Sequence, residues 1–276
     1  MMRSLWTAAS GMRAQQVNVD TIANNVANIN TIGYKSQQAS FKSLLYQNLQ
    51  STSTNNAGEN KPVAAEVGLG SRVAAITSTF TQGNLTHVEN PFSVALEGDG
   101  FFQIRTESGE LQYTRDGSFE ISPVANGNVL CTSDGNPVLD AYGNQIILPS
   151  NRVATDLVVN QDGTLAFPDG TGNPAVITDA NGRPVKFGIY QFNNPAGLSK
   201  EGSNNYSVTV ASGAAVAENG NAAVKQTKTH QYYTEASNVD VANEMVNLIV
   251  AQRAYEMNSK AIQASDEMMQ QANALR

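Results

Sequence analysis

Both ends of this 276-residue chain space their apolar residues in a way that only a long helix with a partner can use. From Leu5 to Ile32 there is no proline and only one glycine, Gly11. Leu5, Ala9, Met12, Val19, Ile22, Val26 and Ile29 recur there at helical spacing. Met12, Val19 and Val26 stand seven apart, as in a coiled-coil seam. At the other end Val241, Met245, Leu248, Gln252, Tyr255, Ser259, Ile262, Asp266 and Met269 step by four and three residues to the end of the chain. Each run predicts a helix of about 30 residues, ~45 Å long at 1.5 Å per residue. A stripe this narrow cannot hold an isolated helix of that length, so each end needs something to pack against.

Local signals set the expected boundaries. The first helix is expected to stop near Ile32, with Gly33 at the left-handed C′ position and Tyr34 as the apolar contact beyond it. Phe41 to Leu49 reads as a further amphipathic piece, and Ser237 or Asn238 as the cap of the C-terminal helix. Between the ends the chain reads as β. Phe92 to Glu97 and Val185 to Tyr190 alternate with period two, and turn pairs punctuate the region at Asp116-Gly117, Asp134-Gly135, Asp162-Gly163, Asp169-Gly170, Asn181-Gly182 and Asn219-Gly220. Residues 50 to 72 are polar and poor in large apolar side chains, which marks a long loop or an extended excursion.

The expected fold is α+β. Long N- and C-terminal helices pair as a coiled-coil-like domain, with a mainly antiparallel β region between them in the chain. The boundaries read as 1–49 for the N-terminal helical part, 50–72 for the excursion, 73–235 for the β-rich outer region and 236–276 for the C-terminal helical part.

One stretch resists the simplest helical reading. In "NVDTIANNVANINTIGYK", residues 18 to 35, Asn18, Thr21, Asn25 and Asn28 form a polar stripe beside Ile22, Val26 and Ile29. A solvated helix face explains the stripe in part, but Lys and Glu would serve solubility better and cost less helix propensity. An Asn amide both donates and accepts without carrying charge, so it can bridge packed helices. The stripe is therefore expected to make helix-to-helix contacts between subunits.

Composition closes off several function classes. The formal charge is −7 and the pI near 4.9, which argues against a broad phosphate-binding surface and so against nucleic acid. Charge is uneven: residues 1 to 50 carry a net +3, whereas residues 238 to 276 carry −2, so a basic start could meet an acidic end. Cys131 stands alone and is expected to be buried. His87 and His230 are far apart in sequence and lack ligand spacing, and the Asp-Gly pairs do not extend to a calcium loop, so neither a metal nor a cofactor is expected. "GLGSR" and "GDGFF" leave the dinucleotide fingerprint incomplete, and no G-x-S-x-G occurs. No apolar run reaches the roughly 20 residues that a bilayer requires, and the start lacks a signal-peptide core. No catalytic constellation stands out. A secreted β-domain enzyme acting on peptidoglycan through paired carboxylates is the alternative from another class.

The motifs at both ends carry a family likeness. "ANNVANINTIGYK", Ala23 to Lys35, resembles the signature of the bacterial flagellar basal-body rod family, A-N-N-x-A-N-x-x-T-x-G-[YF]-[KR], and matches it at every fixed position. Residues 236 to 269 resemble the other half of the same axial domain, and "FTQGNL", "GDGFFQI" and "YTRDGSFEI" extend the likeness inward. The start and the polar insertion look most like the distal-rod branch, with a proximal-rod or hook subunit as the alternative within the family. The resemblance implies a non-enzymatic structural subunit of a helical homopolymer that transmits torque around an export channel. It implies other rod subunits, hook protein, surrounding ring proteins and the flagellar type III export machinery as partners, and the basal body as location. The subunit-packing residues it implies are Leu5, Met12, Asn18, Val19, Ile22, Asn25, Val26, Asn28, Ile29, Gly33, Tyr34, Val241, Met245, Leu248, Gln252, Tyr255, Ile262 and Met269.

Overall fold

A computed structural model of the chain describes residues 2–50, 65–124, 127–149, 152–169, 173–179, 182–221 and 224–274. The class is α+β: helix α1 (Met2–Ala27) opens the chain, helix α2 (Val241–Ala274) closes it, and every strand pairing between them is antiparallel. The chain divides into two compact units.

The first unit comprises residues 1–27, 37–78 and 240–276. It holds both helices and two ribbons, β1 (Gln37–Ser43) with β4 (Ser71–Ser78), and β2 (Tyr46–Gln50) with β3 (Ala65–Gly68). The amphipathic piece at Phe41 to Leu49 is therefore not helix: it is strand on either side of Leu44 and Leu45. Of the expected excursion, residues 65–68 and 71–72 are also strand, while 51–64 lie outside the described residues.

Helix α1 ends at Ala27, five residues before the expected stop. The Asn28 carbonyl accepts the Thr31 amide (3.2 Å), and the Thr31 hydroxyl donates to Asn28 Oδ1 (3.1 Å), so a local turn replaces the next helical turn. Gly33 does not cap the helix. It lies in the second unit at φ +69°, where an added Cβ would stand 2.9 Å from the Asp116 amide nitrogen. Its own N–H donates to the Glu235 carbonyl at 2.8 Å. Close backbone approach, not helix termination, requires a glycine here. Helix α2 begins later than expected because Asp240, not Ser237 or Asn238, is the cap. Asp240 Oδ1 accepts the Ala242 amide at 3.0 Å and the Asn243 amide at 3.4 Å. The Asn238 side chain is held elsewhere, donating to the Thr79 carbonyl and accepting from the Ser36 amide.

The second unit, residues 28–36 and 79–239, contains the apolar core. A six-stranded sheet runs in the order 199–202, 205–207, 111–114, 101–105, 189–191, 216–217, joined by smaller ladders. Phe102, Phe119 and Phe187 meet at centroid distances of 5.0 to 5.9 Å in the larger cluster. Phe101, Tyr113, Phe192 and Tyr206 form the smaller one on the other sheet face. Turns stand where Asp134-Gly135 and Asp162-Gly163 were read, and the glycines at 182 and 220 also take positive φ. Gly170 and Asn181 lie outside the described residues. Asp116-Gly117 is not a hairpin turn: Asp116 Oδ1 accepts both the amide and the hydroxyl of Ser118, and a Cβ on Gly117 would clash with the Val94 carbonyl.

Candidate functional site

The two helices of the first unit run antiparallel, and their closest contacts recur in register. The Ser4 and Ser265 hydroxyls are 3.2 Å apart, Gly11 lies directly against Asn258, and Asn25 Nδ2 donates to Glu244 Oε1 at 3.0 Å. Along α1 these positions advance by seven and fourteen residues, and along α2 they retreat by the same steps. The seam is filled by small and polar side chains: Ala8, Ala14, Ala251 and Ser265 are buried in it or beside it. Ile22 is the only large apolar side chain of this unit that is fully buried among the described residues.

Many large apolar side chains of the first unit are exposed instead. On α2 Val246, Ile249, Val250, Met257 and Met268 are exposed, with Met257 at 65 % of its accessible surface. On α1 Trp6 is 75 % exposed, and Leu45, Tyr46 and Leu49 are exposed along β2 and its approach. Among the described residues there are two continuous core clusters, and both belong to the second unit. An outward apolar surface over an inward polar seam inverts the pattern of a self-sufficient bundle.

Within the second unit, a buried ion cluster holds the segment that follows α1 to the segment that precedes α2. Lys35 Nζ donates to Glu235 Oε1 at 2.6 Å and to the Thr81 carbonyl at 2.9 Å. Arg115 donates to the Gly98 and Gly100 carbonyls at 2.8 Å, and its Nε lies 3.6 Å from Glu235 Oε2. All three side chains are almost fully buried. Burial pulls the Lys35 ammonium below the ordinary lysine range and Arg115 adds to that pull, while Glu235 opposes it. The sequence reading named none of the three as site residues. The signals were present: a fixed basic position ends the "GYK" motif, Arg115 sits in "YTRDG", and Glu235 precedes the second helix.

The structure sorts the expected packing residues into three groups. Ile22, Asn25, Gly33 and Tyr34 are buried within the chain. Asn25 shows why. Its amide donates to the Gln37 carbonyl and accepts the Gln37 amide, both at 2.8 Å, so it works as a clasp between α1 and β1. Leu5, Met12, Asn18, Val19, Val26, Leu248, Ile262 and Met269 are half-buried, as are Asn28 and Ile29 in the turn after α1. Val241, Met245, Gln252 and Tyr255 are exposed. Among the described residues no cluster of metal-ligating side chains occurs, and no helix is long and apolar enough to cross a membrane. Cys131 is buried.

Three family models match the chain. They are described as flagella basal body rod protein over residues 5–35, flagellar hook protein FlgE/F/G D1 domain over 95–167, and flagellar basal body rod FlgEFG protein C-terminal over 230–275. Among curated proteins the chain is similar to the flagellar basal-body rod protein FlgG of Borreliella burgdorferi, at 43 % identity over 100 % of this chain and 99 % of that one. The FlgG of Agrobacterium fabrum is 41 % identical over 97 % of both chains. The FlgG of Caulobacter vibrioides is 38 % identical over the full length of both.

Proposed function

This chain belongs to the FlgG family of flagellar basal-body rod proteins, and from that premise we propose how it builds the rod. It is a structural subunit of the distal rod in the flagellar basal body, and it assembles with other rod subunits and with hook subunits. Many copies polymerise into a helical tube that surrounds the export channel and carries motor torque to the hook. The two helices act as a coiled-coil-like pair in that tube, with residues 1–49 and 236–276 as axial core, 50–72 as excursion and 73–235 as the β-rich outer region. Half-buried Met12, Val19, Leu248, Ile262 and Met269 and exposed Val241, Met245, Gln252 and Tyr255 take part in subunit packing. The chain reaches the rod through the flagellar type III export machinery and meets surrounding ring proteins there.

The observation that carries this reading is the inverted first unit, with small and polar residues within the seam and Met, Val, Ile and Trp outside it. Identical subunits joined by heterologous contacts extend without limit when the rotation between them does not close a ring, which is what a shaft requires. Deleting residues 2–27 tests the proposal. The expected product keeps the near-ultraviolet signature of the second unit, fails to enter basal bodies and leaves cells non-motile. Normal swimming on that truncated protein would defeat the proposal.

A further inference from the structure

A groove of about 710 Å³ lies within the first unit, between α1 and the β1–β4 ribbon. Its walls are apolar, from Ala14, Val17 and Val73, and Trp6 stands exposed at its edge. Its charged lining is wholly basic, from Arg13 and Arg72. Directly across the ribbon, Arg72 is paired in register with Lys42. Two like charges placed opposite each other on neighbouring strands repel, and an isolated ribbon gains nothing from the arrangement. None of the three cations has an ion-pair partner among the described residues. A groove with an apolar floor and an unpaired basic rim fits an apolar ridge flanked by acids.

Among the described residues, the end of helix α2 is such a ridge. From residue 261 to 274 helix α2 has two charged residues, Asp266 and Glu267, both acidic and both exposed. Beside them Met268 is an exposed apolar knob. The geometry points to a docking contact between copies: the last turns of α2 of one subunit enter the groove of another, with Met268 against the apolar walls and Trp6. Asp266 and Glu267 then face Arg13, Lys42 and Arg72. The contact joins two different surfaces, so each copy offers one groove and one ridge, and the chain of contacts stays open where the rotation between copies does not close a ring. The proposal rests on the rod reading above and adds to it which two surfaces meet.

A charge-swap series in cells that lack the native protein tests it, each full-length variant being scored by incorporation into purified basal bodies. Arg72→Glu is expected to lower incorporation about tenfold or more, and Arg72→Glu combined with Glu267→Arg to restore most of it. The thermal unfolding midpoint of each purified variant should match that of the unmodified chain, which separates lost docking from lost folding. In a second arm Cys131 is replaced by Ser, and Arg72→Cys and Glu267→Cys are placed on separate co-expressed copies. Oxidation of assembled rods is then expected to yield a disulfide-linked dimer.

Normal incorporation of Arg72→Glu would overturn the proposal. So would failure of rescue, or the absence of cross-linked dimer from rods that do assemble, and each of these leaves the rod reading intact. If the unmodified chain never enters the basal body, the rod reading fails and takes this contact with it.

Discussion

At the scale of single residues, Glu235 has the largest consequences. Its carboxylate faces Lys35 and Arg115 and also accepts the Gly83 amide at 2.8 Å, so neutralising it leaves two buried cations without a counter-charge. Glu235→Gln is expected to cost about 3–5 kcal/mol, read as a lowered midpoint in urea for the second-unit signal. Tyr206, packed edge-on against Phe80 and Phe101, offers a second test. Burial first, and the neighbouring Tyr34 next, push its phenol up to about 12 from an ordinary 10.0. A folded-state pKa above the unfolded one contributes stability that is complete below pH 10 and lost as pH rises through 12. At about 1.4 kcal/mol per unit this loss amounts to some 2–3 kcal/mol. Lys35 has the opposite sign: its pKa lies below 10.5 in the folded chain, so folding gains as pH rises towards that value. Burial also raises the phenols of Tyr113 and Tyr190, so the urea midpoints at about pH 9 and pH 11 are compared between the unmodified chain and Tyr206→Phe. The alkaline loss should be smaller in Tyr206→Phe than in the unmodified chain.

At the scale of elements, the two helices show how much of this fold was legible and where legibility stopped. Heptad spacing revealed both helices, and alternation with Asp-Gly turns revealed an antiparallel β centre. The ends of the helices were not legible, because tertiary contacts decide them. Gly33 looks like a cap in sequence, yet the backbone of residues 115 and 116 claims it, and Asn238 looks like a cap, yet Ser36 and Thr79 hold its amide. The clasp between Asn25 and Gln37 was not legible either, since a local sequence cannot show that Gln37 folds back onto Asn25. The buried cluster at residues 35, 115 and 235 was missed for the same reason: three charges remote in sequence have no visible spacing. Asn25→Leu tests the clasp. It strands both polar groups of Gln37, at about 1–3 kcal/mol for each. Hydrogen exchange at the Gln37 amide should quicken by orders of magnitude, while amides of residues 101–105 stay protected.

At the scale of the whole molecule, the two units differ in what they need. The second has a continuous apolar core and is expected to fold without the first. The boundary matters here. The sequence assigns Lys35 to the N-terminal helical part, 1–49, but Lys35 belongs to the buried cluster of the second unit. Deleting residues 2–35 should therefore destabilise the second unit by several kcal/mol relative to deleting 2–27, measured as the difference in their thermal midpoints. The long segment 79–239 also has a useful property at its margins. The Asn238 side chain reaches the Thr79 carbonyl at 2.8 Å, so the segment leaves beside the point where it entered. A stretch of chain with adjoining margins behaves as a cassette, and a foreign domain with equally close termini could be spliced into the same gap, turning the helical unit into a carrier for cargo of choice.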